Sequence, residues 1–212
     1  MRAYYLTRQD WGLEAIKLRR VKLSLFDEMN DPFELLGVEL KTKEDRAEFY
    51  QLKEEMNQTI GALCFSRNWN NPVLWSHYGD RHRGLCLGFD LLDEWAFEVS
   101  YQGERLKGEV ESELPKKDHE TFGHKLLLTK YEHWRYEDEV RMILELKNVV
   151  HENNMYFLPF SNALRLSEVI VGPRCALALE NLRRIVSPLD VSVRLTKSRL
   201  AFDSYKVVRV EP

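Results

Sequence analysis

Apolar and polar positions along the chain follow two different periods, which predict different elements. In the N-terminal part of the chain, "TKEDRAEFYQLKEEMNQT" places Phe49, Leu52 and Met56 at helical spacing among charged residues, which predicts an amphipathic helix. Later, strand patterns dominate, either as two-residue alternation or as short continuous apolar runs. The strand candidates are "IGALCFS", "LCLGFD", "NMYFLPF", "LSEVIVG", "VSVRLTKS" and "YKVVRVE". Because long helices come early and strands crowd the C-terminal half, the pattern predicts an α+β fold.

The whole pattern predicts about eight or nine strands and four helices in one domain that spans residues 1–212. We expect a split, mixed β-sheet or sandwich with flanking helices. Helices are also predicted over 70–84 and 121–134, and the charged segment 103–120 is the best candidate for a mobile surface segment.

Composition narrows the class of protein. Apolar residues make up 44% of the chain and charged residues 31%, as in globular proteins, and the net charge of −3 gives no overall attraction to nucleic acid or membranes. No apolar run has the length of a membrane span, and the N-terminal residues lack the apolar core of a signal peptide. We therefore expect a cytoplasmic protein without membrane contact, whose three cysteines are reduced thiols.

Two carboxylates and a guanidinium follow one another at two-residue spacing in "HWRYEDEVRMILEL", residues 133–146. If the segment is extended throughout, Glu137, Glu139 and Arg141 leave the same face of one strand. Such a row suits a cleft in which a carboxylate stabilises a developing cation or orients a ribose hydroxyl, and Arg141 counters the repulsion between the acids. The alternative is an exposed sheet face with solvated charges.

Aromatic and basic residues are mixed in "NPVLWSHYGDRHRG". On a helix, Trp75, Tyr78 and His82 share one face, whereas His77 and Arg81 share another. This arrangement is suited to stacking an aromatic ring of a ligand and to gripping phosphates. The alternative is that the rings belong to the core and the polar face is solvated.

The stretch "FDEMNDPFE" is a third candidate. Its Asp-Pro pair makes a rigid turn, and Asn30 and Asp31 are able to bond their own backbone. The turn is either purely structural or a binding loop. The chain lacks the glycine-rich phosphate loops of ATPases and dinucleotide folds, and it lacks HExxH and GxSxG, which argues against those enzyme classes.

Taken together, three stretches resemble a bacterial family that is catalogued as domain of unknown function 2971. The stretches are "NDPFE", "CFSRNWNNPVLWSHYGDRHRGLCLGFD", and "HWRYEDEVRMI" after a predicted helix that carries Lys130. They cover roughly residues 4–172. The resemblance implies a defence context but no settled activity.

The order of "YYLT", a helix, "VKLS", "CFS" and a late acidic strand is similar to the ADP-ribosyltransferase fold. Enzymes of that fold clasp NAD in a split β-sandwich, with a His or Arg on the first strand, a Ser or Tyr in the middle and a Glu on a late strand. The resemblance gives Glu139 the glutamate role, with Glu137 and Arg141 beside it, although Tyr5 stands where many such enzymes have His. The candidate NAD contacts come from the first strand, the Asn-Asp-Pro turn, the middle strand and the predicted helix over 70–84. They are Tyr5, Thr7, Asn30, Asp31, Ser66, Trp75, His77, Tyr78 and Arg83.

Three functions follow as hypotheses. The first is an ADP-ribosyltransferase-like enzyme that uses NAD as a substrate, as a toxin or phage-defence effector that modifies nucleic acid or protein; Arg81 or Arg83 would meet the pyrophosphate, and no structural metal is expected. The second is a non-catalytic module that binds a nucleotide or a nucleic-acid end. The third is a metal-dependent nuclease or other phosphodiesterase in which Glu137, Glu139 and Asp80 hold a divalent metal.

Overall fold

A computed structural model describes residues 1–107, 122–189 and 191–210. The strands are β1 (Arg2–Thr7), β2 (Arg20–Lys22), β3 (Ile60–Ser66), β4 (Leu85–Leu91), β5 (Phe97–Glu98), β6 (Ser100–Gln102), β7 (Thr129–Tyr131), β8 (Glu139–Glu145), β9 (Val150–Glu152), β10 (Met155–Pro159), β11 (Leu164–Val171), β12 (Arg194–Leu200) and β13 (Val207–Arg209). The α-helices are α1 (Gln9–Leu18), α2 (Lys43–Thr59), α3 (Pro72–His77), α4 (Phe122–Leu127) and α5 (Leu179–Val186). Short 3-10 turns cover Phe26–Glu28, Asp93–Trp95, Glu132–Glu137 and Leu146–Asn148.

Eight of the strands form one sheet in the order β13-β12-β11-β4-β1-β3-β8-β5, in which β11 and β12 are parallel and the other pairs antiparallel. Two small sheets, β2-β10-β9 and β6-β7, accompany it. The predicted α+β class with a mixed sheet is therefore confirmed. Most of the segment predicted to be mobile, residues 108–120, lies outside the described residues.

The two faces of the large sheet bury different side chains. Ala3, Tyr5 and Phe65 belong to the largest apolar cluster, which includes side chains from α1 and α5, and we call this the core face. Tyr4 and Leu6 point the other way and meet Trp75 in a second cluster. We call this second side the site face.

One row of residues on the site face crosses six adjacent strands. Glu139 is the register partner of Ser66, and Ser66 is the partner of Tyr4. The row continues from Tyr4 through Gly88 to Glu168 and ends at Arg194. Because directly opposed residues point to the same side of a sheet, this register places Glu139 and Glu168 on one face, with Glu139 at one end of the row and Glu168 beside Arg194 at the other.

The predicted helix over 70–84 ends much earlier, at His77. Asp80, Arg81 and His82 all have positive φ, so the chain turns left-handed instead of continuing the helix. Gly84 then passes so close to β1 that a Cβ would lie 2.0 Å from the Thr7 carbonyl oxygen, which only glycine permits. The expected sharing of one helix face by Trp75, Tyr78 and His82 is therefore wrong.

The helix predicted over 121–134 is also shorter than expected. It ends at Leu127, and the next residues form β7 and then the 3-10 turn Glu132–Glu137. β7 pairs in parallel with β6, which lies almost thirty residues earlier in the chain, and the local sequence pattern does not reveal this pairing. This change matters because it places Lys130 on a strand.

The three cysteines are free thiols, as predicted: Cys86 and Cys175 are buried and Cys64 is half-buried. Among the helices that the structure describes, none combines the length and the apolar character needed to span a membrane.

Candidate functional site

A buried lysine joins two carboxylates at the start of β8. The Lys130 ammonium donates to Glu137 Oε2 at 2.5 Å and to Glu139 Oε2 at 3.0 Å. All three side chains are less than a tenth exposed. The short strand β7 brings Lys130 to this position, and the left-handed residue Asp138 turns the chain between the two glutamates.

A second buried cation, Arg141, also contacts Glu139. Its guanidinium donates to both oxygens of Glu139, at 2.7 and 3.2 Å, and to Glu34 Oε1 at 2.5 Å. It also donates to the carbonyl oxygen of Leu127 at 2.7 Å and is fully buried. We call Glu34, Lys130, Glu137, Glu139 and Arg141 the acidic cluster, because it holds three carboxylates and two cations.

The electrostatics of the two central carboxylates differ. Burial opposes the ionisation of Glu139, but the charges of Arg141 and Lys130 outweigh it and lower its pKa to about 2. Burial raises the pKa of Glu137, and Lys130 offsets this only in part. The same carboxylates overcome the effect of burial on Lys130 and raise its pKa, so Lys130 stays charged. Glu137 is thus the carboxylate whose ionised form is less favoured.

Aromatic rings lie at the more open end of the cluster. The hydroxyl of half-buried Tyr78 donates to Glu137 Oε1, and the Asn30 side chain lies close enough to the same hydroxyl to lower its pKa in part, against the larger effect of burial. Trp134 lies over the Lys130 ammonium, 5.1 Å from the ring centroid. The Tyr136 and Trp134 rings are 6.0 Å apart.

The exposed His77 ring extends this aromatic group outwards. It stacks on Tyr136 at 6.2 Å and meets Trp134 edge-on at 6.5 Å. We call His77, Tyr78, Trp134 and Tyr136 the aromatic mouth. Half-buried aromatic rings beside buried charges are suited to holding a flat ring whose polar end reaches the carboxylates.

Several residues predicted from separate motifs are brought together. Glu137, Glu139 and Arg141 share the acidic cluster, Tyr78 contacts Glu137, and Asn30 contacts Tyr78. The expectation that the three charged side chains form one row on a strand that lines a cleft is wrong in two respects, although Glu139 and Arg141 do share one face of β8. Glu137 belongs to a 3-10 turn, β8 begins at Glu139, and all three side chains are buried.

The predicted first-strand residues lie elsewhere. Tyr5 packs edge-on against Phe65 on the core face, and burial raises its pKa to about 12. Thr7, which is buried, shares this face because it is two residues further along β1. The single-face placement of Tyr5 and Thr7 with Ser66 and Glu139 is therefore wrong, and Tyr4 occupies that row instead.

Three other predicted contact residues have partners outside the acidic cluster. Trp75 is fully buried and donates its indole N–H to the Trp69 carbonyl, so it cannot stack on a ligand. Arg83 is exposed and pairs with Asp80 at 3.1 Å. Asp31 accepts from the backbone N–H of Phe33 at 2.9 Å, so its side chain stabilises the turn, as in the structural alternative for this stretch.

Ser66 is buried in the same row as Glu139, and its hydroxyl engages its own loop. Oγ donates to the Asn68 carbonyl oxygen and accepts from the Asn68 amide, both at 2.9 Å. Two residues earlier on the same face, burial and the nearby Glu139 carboxylate raise the pKa of the Cys64 thiol. Tyr101 accepts from the Glu139 backbone N–H at 2.8 Å.

Sequence reasoning did not place Glu34, Lys130, Trp134 or Tyr136 in the site. Glu34 is the last residue of "NDPFE", and its Oε2 accepts no hydrogen bond from the residues that the structure describes. A buried carboxylate needs a compensating partner, and the guanidinium of Arg141 is that partner for Glu34. The pairing spans 107 positions of sequence, which a local pattern does not reveal.

Five of the residues gathered here, Tyr78, Lys130, Glu137, Glu139 and Arg141, lie in one stretch of sequence. Residues 74–142 match the family described as Protein of unknown function (DUF2971). The DUF2971 resemblance predicted from the sequence is confirmed over these residues. No curated protein matches the chain, and no solved structure matches it.

Proposed function

We propose that this protein is an ADP-ribosyltransferase-like enzyme that uses NAD as a substrate. The observation that supports this most is the single row of Tyr4, Ser66 and Glu139 on the adjacent strands β1, β3 and β8. A first-strand, a middle-strand and a late-strand residue on one face is the layout expected from the resemblance, with Tyr4 in the place expected for Tyr5. A buried acidic cluster and an aromatic mouth adjoin this row.

The chemistry that suits this arrangement is cleavage of the N-glycosidic bond of NAD. The bond between ribose C1′ and the nicotinamide nitrogen breaks, and its electron pair leaves with nicotinamide, which becomes neutral. The ribose becomes oxocarbenium-like, and a nearby carboxylate stabilises that positive charge. An acceptor nucleophile then bonds to C1′ and loses its proton.

Of the two central carboxylates, Glu137 is the better placed to meet a ribose. Both oxygens of Glu139 are already bonded by Arg141 and Lys130. Both oxygens of Glu137 also accept hydrogen bonds, one from Lys130 and one from Tyr78, but Tyr78 belongs to the aromatic mouth, so this carboxylate lies at the more open end of the cluster. Glu139 and Arg141 then act as positioning residues that fix Lys130 and hence Glu137.

The mouth suits the aromatic parts of a dinucleotide. His77, Trp134 and Tyr136 offer ring faces for stacking. The pyrophosphate role of Arg81 or Arg83, the acceptor class, and the toxin or phage-defence role remain predictions.

The direct test is release of nicotinamide from NAD by the purified protein, followed by chromatography with and without candidate acceptors. We expect Glu137→Gln to lower the rate at least a hundredfold, because a neutral amide does not stabilise an oxocarbenium ion. The matched control is Glu168→Gln, a buried glutamate of the same sheet face that lies four strands from β8. Equal rates for the wild-type protein and Glu137→Gln would contradict the assignment.

A non-catalytic nucleotide-binding module is the second candidate, and one observation favours it. Glu139, the residue to which the resemblance gives the glutamate role, is fully engaged in ion pairs. Tight NAD binding by a protein that releases no nicotinamide under any acceptor condition would support the module over the enzyme.

The metal-dependent phosphodiesterase has less support. Lys130 occupies the position between Glu137 and Glu139 where a shared cation would lie, and Asp80 pairs with Arg83. Within the residues that the structure describes, no group of three His, Cys, Asp or Glu side chains is arranged to hold a metal ion.

A further inference from the structure

The C-terminal part of the chain has a charge opposite to that of the rest. Residues 172–210 carry eight basic and three acidic side chains, so the remainder of the chain holds 23 basic and 31 acidic ones. Residues 172–210 therefore have a net charge of +5 and the remainder of the chain has a net charge of −8, which together give −3. A charge separation of this kind favours binding of a polyanion at one end of the molecule.

The basic residues are concentrated on the hairpin formed by β12 and β13. We call residues 194–210 the C-terminal hairpin; it holds five basic side chains and one acidic side chain. Arg194 and Arg209 lie towards buried Glu168, whereas Lys197, Arg199 and Lys206 have no carboxylate within ion-pair distance among the described residues. The positive charge of these three is therefore available to a ligand.

The hairpin tip also exposes two aromatic rings. Phe202 is 94% exposed and Tyr205 is 98% exposed, the most exposed large apolar side chains in the described part of the chain. The Arg199 guanidinium lies over the Phe202 ring, 4.8 Å from its centroid. Burial of either ring in the fold would lower the free energy of the protein, so their exposure needs an explanation.

We propose that the C-terminal hairpin binds single-stranded nucleic acid. Exposed rings stack on unpaired bases irrespective of sequence, and flanking lysines and arginines neutralise phosphates. Phe202 and Tyr205 supply the rings, while Lys197, Arg199 and Lys206 supply the charge. In a duplex the base faces are covered by their neighbours, so the single-stranded form fits these rings better.

Two other occupants fit less well. Asp203 lies between the two rings at the apex and is exposed, which opposes insertion of the tip into the hydrocarbon of a membrane. A second copy of the hairpin would bring an excess of four positive charges against another four.

This surface is separate from the acidic cluster. The hairpin strand β12 lies five strands from β8 in the same sheet, about 24 Å at the usual strand spacing. Binding at the hairpin consequently does not depend on the proposed NAD chemistry. The two proposals fail independently, because the test below contains no NAD.

The experiment measures binding of the full chain to a fluorescently labelled 20-nucleotide oligo(dT) by anisotropy at several salt concentrations. Phe202→Ala/Tyr205→Ala should weaken binding at least tenfold, since each stacked base is worth about 1–3 kcal/mol. Lys197→Gln/Lys206→Gln should weaken binding and reduce the slope of log affinity against log salt by about 0.7 for each lost phosphate contact.

The matched controls are Tyr50→Ala, at a ring that is 64% exposed on α2, and Lys41→Gln/Lys147→Gln, whose side chains are 71% and 74% exposed. Both controls should bind like the wild-type protein, and all variants should keep its thermal midpoint. No binding by the wild-type protein at 50 mM salt, or equal binding by the hairpin variants, would overturn the proposal. Binding to anionic vesicles but not to the oligonucleotide would replace it with a membrane contact.

Discussion

Two buried glutamates of one residue row, Glu139 and Glu168, lie four strands apart and are held in different ways. Glu168 accepts from Arg209 at 3.0 and 2.7 Å, and Arg194 lies 3.7 Å away. We call these three residues the Glu168 cluster. It has one carboxylate and two cations, whereas the acidic cluster at the other end has three carboxylates and two cations.

The difference separates a structural ion pair from a candidate site. In the Glu168 cluster both oxygens of the single carboxylate accept from Arg209, which also covers the Trp69 ring at 4.6 Å. In the acidic cluster Lys130 is shared by two carboxylates, and half-buried rings adjoin it. An excess of negative charge beside an aromatic opening suits a positively charged aromatic group such as the nicotinamide ring of NAD, whereas the fully paired Glu168 carboxylate does not.

The largest expected effect is on stability, at Arg141. Arg141→Met should lower the free energy of unfolding by about 3–5 kcal/mol, because it leaves Glu34 buried without a cation and Glu139 with Lys130 alone. Urea denaturation measures it. Arg165→Met, at an exposed pair with Asp90, should cost less than about 1 kcal/mol. Similar losses for both would mean that the acidic cluster is well solvated.

The pH dependence of stability should depend on Glu139. Its pKa falls from 4.5 in the unfolded chain to about 2 on folding, so its contribution is present above pH 4.5 and is lost as pH falls towards 2. The loss is on the order of 3 kcal/mol. Glu137 acts oppositely: its raised pKa favours the folded protein at low pH, and that contribution is lost as pH rises through the raised value.

Stability measured between pH 6 and pH 2 checks this sign. The wild-type protein should lose stability along the acid limb, and Glu139→Gln should flatten that limb. An acid limb that is unchanged in Glu139→Gln would show that Glu139 is not held ionised by its neighbours.

Glu168→Gln should have a smaller effect on stability and none on ligand binding. Loss of its charge-assisted bonds costs about 2 kcal/mol. Arg194 is largely exposed and Arg209 partly so, and both can be hydrated once the carboxylate is gone. Thermal unfolding and NAD titration of the same variant measure the two effects, and a parallel loss of NAD binding would remove the distinction between the clusters.

Tyr78→Phe should have the smallest effect on stability, about 1 kcal/mol, because it removes one hydrogen bond to Glu137. The same bond lowers the pKa of Glu137, so its loss should raise that pKa further and move any pH profile of NAD turnover upwards. A profile identical to that of the wild-type protein would place Glu137 outside the reaction.

The sequence predicted strand β8, the buried strands β3 and β4, and the DUF2971 resemblance, since each rests on a local pattern. It missed the role of Lys130 because "KLLLTKYEHW" has helical spacing, while pairing with the distant β6 makes β7 a strand. It chose Tyr5 over Tyr4 because a shift of one residue exchanges the faces of a strand, and only the register with Ser66 decides which face is which.

The most direct test of the central claim is NAD binding by the wild-type protein, Glu137→Gln and Glu168→Gln, measured as the shift of the thermal midpoint with millimolar NAD. At 100 times its dissociation constant a ligand adds about 2.7 kcal/mol to stability, which moves the midpoint visibly. We predict equal shifts for the wild-type protein and Glu168→Gln, and little or no shift for Glu137→Gln. Absence of a shift in the wild-type protein, or a shift lost only in Glu168→Gln, would contradict a ligand site at the acidic cluster.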